Sequence, residues 1–196
     1  MPTAVTDLPV VTDPPRKRWT REQYERLPEC ALNGERLELI DGELINKMGK
    51  KRPHVIALAM LHSWLNKVFG DRFVNSQAPI DVSAEDNSTS EPEPDLIVLR
   101  REMTVFRDRN PGPDDIHLVS EIADTTLGFD LAVKAALYAR AGITEYWVLD
   151  IAGRRLIVHR DPHGGRYRTV SAYGEHERLA PLAAPGCEVR VGDVLP

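Results

Sequence analysis

Residues 91–100 read EPEPDLIVLR, and two later segments belong with them: HLVSEIADTT at 117–126 and FDLAVKAALYARAG at 129–142. The runs LIVL and HLVSEI have the apolar, β-branched character of buried strands. Each carries one acid, Asp95 just before the first run and Glu121 near the end of the second. The third segment is a short helical pattern whose apolar interior, from Leu131 to Ala139, is broken by a single cation, Lys134. An acid near the end of a buried strand is costly unless it is paired or bound to a cation. Two such acids on neighbouring strands, with a lysine beside them, are the minimal set for holding a hard divalent metal and activating a water.

Outward from this trio, Pro94 forces an extended approach that holds Asp95 at a strand edge. On the N-terminal side, RLELIDGELINKM at 36–48 has two alternating runs around Asp41-Gly42, a hairpin signal. Glu38 sits there on the face opposite Leu37 and Leu39. Pro53 suits a first helical turn, and Val55, Leu58, Ala59, His62, Leu65 and Phe69 recur at helical spacing up to Gly70. His54 stands at the start of this helix. RFVNSQAPIDVSAED at 72–86 reads as two short strands around Ala78-Pro79, and 101–115 as a loop with a Pro-Gly turn.

Thr20 followed by Gln23 is a capping box for a short helix that Pro28 ends. Thr125 or Thr126 can cap the lysine-bearing helix. On that helix an Asp130 to Lys134 surface pair is the plain structural alternative for Lys134, worth about 0.3–0.5 kcal/mol. Beyond Ala141-Gly142, residues 146–150 and 154–160 form a hairpin, HGGRYRTV adds a turn and strand, and CEVRV at 187–191 closes the chain. Strands and helices interleave, so the expected class is α/β, a mixed β-sheet flanked by helices.

At 196 residues and 42% hydrophobic, the chain is the size of one domain with a real core. Residues 1–18 hold four prolines and read as a flexible N-terminal arm, with residues 19–196 as a single domain. No apolar run reaches about 18 residues and no leader pattern opens the chain, which points to the cytoplasm and away from the membrane. Cys30 and Cys187 have no metal-ligand spacing, and the histidines show no repeated spacing. A net charge of −5 argues against a protein that coats nucleic acid. Basic residues nevertheless gather at Arg16, Lys17, Arg18 and Arg21, at Lys47, Lys50, Lys51 and Arg52, and at Arg100, Arg101, Arg107 and Arg109. There is no phosphate-cradling glycine loop and no nucleophile elbow.

Pro94-Asp95 followed by Glu121 on the next strand resembles the PD-(D/E)xK nuclease superfamily, although the lysine slot two residues after the second acid holds Ala123. In the Uma2-type branch of restriction endonuclease-like proteins, the DUF820 family, a following helix supplies the lysine, and Lys134 fits that variant. LELIDGEL at 37–44 and YWVLD at 146–150 are further segments similar to that family, so the resemblance covers roughly residues 20–195. It implies a restriction-endonuclease-like fold and a Mg²⁺- or Mn²⁺-dependent endonuclease acting on DNA, working as a homodimer. In that reading Asp95, Glu121 and the backbone carbonyl of Ile122 bind the metal. Lys134 positions or deprotonates the attacking water, Glu38 helps hold metal or water, and His54 touches phosphate or supports the ligands. Two alternatives stand beside it: a catalytically inactive DNA- or protein-binding module that keeps the fold, and a hydrolase of small phosphodiesters.

Overall fold

The computed structural model describes residues 16–27, 35–47 and 51–196. Positions 1–15 of the proline-rich arm, Pro28, Cys30 and Lys50 lie outside them. The chain runs α1 (Arg21–Glu25), β1 (Leu37–Ile40), β2 (Glu43–Asn46), α2 (Arg52–Phe69), β3 (Val74–Ser76), β4 (Leu96–Leu99) and β5 (Ile116–Ala123). A helical rod follows: α3 (Leu127–Phe129), a π-turn over Asp130–Lys134, and α4 (Ala135–Arg140). It ends in β6 (Glu145–Asp150), β7 (Arg155–His163), β8 (Arg166–Gly174), β9 (Arg178–Leu179) and β10 (Val189–Arg190).

Six strands form one mixed sheet in the order β3-β4-β5-β6-β7-β8. Only β5 and β6 are parallel. The helical rod between them makes the crossover that a parallel pair requires. Side-chain alternation divides the core by face. Leu96, Val98, Leu118 and Trp147 pack with Ala57, Leu61 and Leu65 of α2. Ile97, Val119, Tyr146 and Val148 pack with Ala135 and Tyr138 of the rod. Asp95 shares its alternation with Ile97, and Glu121 with Val119, so both acids fall on the face covered by the rod.

β1 and β2 form a separate hairpin whose turn residues Asp41 and Gly42 have φ of 48° and 79°. Two positive φ values are what an Asp-Gly turn of this kind supplies. The hairpin is tied to the chain ahead of β4: Glu91 N–H donates to Leu39 O at 2.7 Å and Gly42 N–H to Thr89 O at 2.7 Å. Arg18, read as part of the arm, reaches the carbonyl of Asp41, and Trp19 N–H donates to Gly42 O at 2.8 Å. The Thr20–Gln23 capping box is present.

Three expectations change. The buried stripe of α2 is Ala57, Leu61 and Leu65, while Val55 is 38% exposed and Ala59 is exposed. Residues 55–61 are apolar on every side, so spacing alone left the phase open, and small Ala57 lets the helix approach the sheet closely. The second strand foreseen after Ala78-Pro79 does not form. Residues 77–83 are irregular, with Ile80 and Val82 buried as anchors. The Asp130–Lys134 surface pair is absent, because Lys134 is 3% exposed and pairs elsewhere.

Candidate active site

The β4–β5 register pairs Leu96 with Ser120, so one step further Asp95 stands opposite Glu121. The hydrogen-bond ladder stops at that step. Asp95 N–H donates to Glu121 Oε2 at 3.3 Å, and Ile122 N–H turns to Asp95 Oδ2 at 3.0 Å. In an extended strand the N–H and C=O of one residue point to the same side. The Ile122 carbonyl therefore faces this end of β4 too, and Pro94 opposite has no N–H to offer it.

Lys134 closes the cluster from the rod, with Nζ 2.8 Å from Glu121 Oε1 and 2.9 Å from Glu38 Oε1. It lies at the end of the π-turn, the kind of helix irregularity that concentrates at functional sites. Ala135 N–H bonds back to the carbonyls of Asp130 and Ala132, and the Tyr146 hydroxyl donates to the Asp130 carbonyl at 3.1 Å. Thr126 is the N-terminal residue foreseen, but its hydroxyl makes no cap and instead bonds Asp130 Oδ2 at 2.6 Å. Glu38 arrives on the hairpin, with Oε2 accepting from Glu93 N–H at 3.2 Å. His54, in the first turn of α2, brings Nε2 to 3.1 Å from Asp95 Oδ2. A carboxylate only accepts, so Nε2 carries the proton there, and Nδ1 is buried with no hydrogen-bond partner among the described residues.

Every sequence-predicted site residue, Glu38, His54, Asp95, Glu121, Ile122 and Lys134, is in this cluster and lines one cleft of about 110 Å³. The cleft opens between Ile45, Asn46 and Lys47 of the hairpin region on one side and residues 124–129 on the other. Sequence reasoning missed three members. Tyr138 donates its hydroxyl to Glu121 Oε1 at 3.1 Å, Asp130 is a buried acid of the same cleft, and Gln77 Nε2 reaches Asp95 Oδ1 at 3.3 Å. For Tyr138 the helical spacing from Lys134 was an available signal. Gln77 had none, because its proximity comes from the sheet.

The basic groups divide differently from their sequence clusters. Lys47 and Lys51 both line the cleft, with the Lys47 ammonium tied to Glu93 O. Arg101 and Arg109 lie past the far end of β4 and clamp Asp115. That cluster is not beside the acids.

Four carboxyl groups, Glu38, Asp95, Glu121 and Asp130, are each at most 6% exposed and share one ammonium and one imidazole. Burial alone would raise Asp95, but the His54 contact, the Ile122 N–H and the charge of Lys134 outweigh it and hold the carboxyl down to about 2. Burial raises Glu121 and, against the opposing pull of Lys134, the charges of Asp95, Asp130 and Glu38 raise it further. Burial would strip the proton from Lys134, yet Glu121, Glu38 and Asp130 keep it above the ordinary lysine range. Of this coupled pair the charged ammonium governs, because two carboxylate oxygens stand within 2.9 Å of it.

Such a pocket is short of positive charge. Its donors are oxygens, the set a hard divalent cation takes. Three of roughly four lone-pair positions are engaged on Asp95 and three on Glu121, leaving capacity on Asp95 Oδ1 and Glu121 Oε2. With the Ile122 carbonyl, these are the groups that could hold an ion. Among the described residues no three His, Cys, Asp or Glu side chains already form a ready cage, and Lys134 fills the space between Glu38 and Glu121.

The family model for Uma2, described as "Putative restriction endonuclease", matches residues 21–192. The chain belongs to the Uma2 family. The crystal structure of a putative nuclease belonging to DUF820 from Anabaena variabilis is similar at a TM-score of 0.64 and 16% identity, covering 89% of this chain and 96% of that one. This likeness shows the fold: the mixed sheet with flanking helices is shared with that protein. Comparison with curated proteins finds no match. Among the described residues no helix is long and apolar enough to cross a membrane.

Proposed function

We propose that this Uma2 protein is a divalent-metal-dependent DNA endonuclease, with Asp95, Glu121 and the Ile122 carbonyl as the donors for Mg²⁺ or Mn²⁺. The observation that carries the reading is the convergence of Asp95 and Glu121 on adjacent strands with the buried ammonium of Lys134 at 2.8 Å from Glu121. When bound, the ion supplies Lewis-acid polarisation of a phosphoryl oxygen and a water of lowered pKa. His54 and the Ile122 N–H keep Asp95 ionised and oriented. Lys134, held charged, faces the negative charge that grows on the phosphate during attack, a role in fixed electrostatics and not as a base. Glu38 anchors that ammonium through Oε1 while Glu93 N–H holds Oε2. Lys51, on the rim, suits an adjacent phosphate. The same reading takes the protein as a cytoplasmic homodimer, which sizing in solution tests.

Assays on supercoiled plasmid and on single-stranded DNA with Mg²⁺, Mn²⁺ or chelator test the proposal. Cleavage that needs the ion and is lost in Asp95→Ala and Lys134→Ala is expected. Equal cutting by both variants overturns the residue assignment. A second reading, a DNA- or protein-binding module that retains the fold, is favoured by one observation: the Lys134 ammonium already joins Glu38 to Glu121. Calorimetry with Mn²⁺ separates them, since such a module shows no ion binding that depends on Asp95 and Glu121.

A further inference from the structure

The register that pairs Leu96 with Ser120 also pairs it with Ser76 of β3, so Gln77, Asp95 and Glu121 form one row across three strands. Gln77 departs from the strand there, at φ of 53°. Among the described residues, the other non-glycine positions with positive φ are Asp41 and Arg154 in hairpin turns and Asp161 within the β7–β8 ribbon. Gln77 makes no hairpin. A residue with a Cβ is disfavoured in this conformation and persists in it only where surrounding contacts over-determine it.

Those contacts converge on Pro94 and Asp95. The Gln77 N–H divides between the carbonyls of Pro94 at 3.1 Å and Asp95 at 3.2 Å, and its side-chain Nε2 donates to Asp95 Oδ1 at 3.3 Å. The left-handed turn thus lets one residue grip both the backbone and the carboxylate of its neighbour. Oδ2 is already held by His54 and the Ile122 N–H. Oδ1 is the oxygen with room for a further ligand, and Gln77 is its one protein partner among the described hydrogen bonds.

We propose that Gln77 is a positioning residue for the metal ligand Asp95, its strained backbone aiming an amide donor that fixes Oδ1 toward the ion. This rests on the metal-dependent reading above. A group that orients a ligand this way changes metal affinity by about 10–100-fold when removed. A purely structural role predicts something different, because glycine is at ease at positive φ and relieves the distortion.

The test uses the whole chain and Mn²⁺ alone, without DNA, by calorimetry and by Mn²⁺ electron paramagnetic resonance. Gln77→Gly removes both strain and amide, and Gln77→Met keeps the length and the strain but removes the donor. Both are expected to bind Mn²⁺ about 10–100-fold more weakly. The glycine variant should keep its melting temperature or gain about 2–4 °C. Unchanged Mn²⁺ affinity in either variant overturns the proposal, and so does a loss of affinity in Gln77→Gly that only tracks a fall in melting temperature. If the wild type itself binds no Mn²⁺, or binds it equally well after Asp95→Asn, the metal-dependent reading falls and takes this inference with it. Wild-type binding that needs Asp95 but ignores Gln77 removes the inference alone.

Discussion

Two buried charge clusters in this molecule are built on opposite terms. Around Glu145, which is fully buried, one carboxylate meets one guanidinium, with Arg160 Nε at 2.9 Å. Trp147 Nε1 at 3.0 Å and the Leu182 N–H at 2.8 Å take further lone pairs. Charge is balanced and four N–H donors meet the one carboxylate, and the result ties residues 180–182 to the sheet. Around Asp95 and Glu121, four acids share one ammonium and one imidazole beside a cleft, and His54 Nδ1 has no hydrogen-bond partner among the described residues. Burial of charge does not separate structure from function here. What distinguishes the two clusters is how fully the partners among the described residues satisfy them, and an incompletely satisfied set beside a cleft is what the proposed metal site needs.

That contrast can be broken by experiment. The largest effect is expected from Lys134→Met, which should lower the rate of ion-dependent DNA cleavage by about 10²–10³-fold, the range for a group that stabilises developing charge. Single-turnover assays measure it, and a loss below tenfold would leave Lys134 a structural residue like Arg160. Arg160→Met should do the opposite. Leaving Glu145 buried without its cation costs about 3–5 kcal/mol in urea unfolding, with cleavage per folded molecule unchanged.

Asp115 sharpens the contrast through pH. The Arg109 hydrogen bond and then Arg101, against burial, hold its carboxyl down to about 2. A depressed carboxyl stabilises the fold above its unfolded value near 4 and loses that contribution as pH falls from about 4 toward 2. With the arginines half-exposed, solvent screening reduces this to about 1–2 kcal/mol. Asp115→Asn should therefore flatten the acid limb of the stability curve in that window and leave cleavage at neutral pH intact. The smallest effect belongs to the hairpin that carries Glu38. At Gly42, φ is 79° and an added Cβ would lie 2.8 Å from the Arg18 side chain. Gly42→Ala should cost about 1–2 kcal/mol by thermal melting.

The legible parts of the site were local ones. Pro94-Asp95 before LIVL, Glu121 within HLVSEI and Lys134 inside an apolar helix each stand out against their own neighbours, so one segment at a time exposed them. The Asp41-Gly42 hairpin and the start and stop of α2 were readable for the same reason. Glu38 is different: as a residue it looked like an ordinary strand acid, and the family pattern alone marked it. The phase of α2 was ambiguous because its sequence is apolar all round from Val55 to Leu61. Gln77 carried no local mark, Asp130 stood out only as a surface partner for Lys134, and the arginines at 100–109, one of the basic clusters of the sequence, sit at the opposite end of β4.

The order and kind of the elements, and the three residues on which chemistry would rest, were written in the chain, because periodicity, turn residues and an isolated charge act over a few positions. Which of the many acids meet was decided only by the tertiary structure. Glu38 and Lys134 are 96 positions apart, and their contact depends on hairpin docking, on the β4–β5 register and on a π-turn that sets the angle of one helix. None of these leaves a trace at the residues themselves, since pairing across a sheet is an energy of the folded whole and not a preference of any short segment.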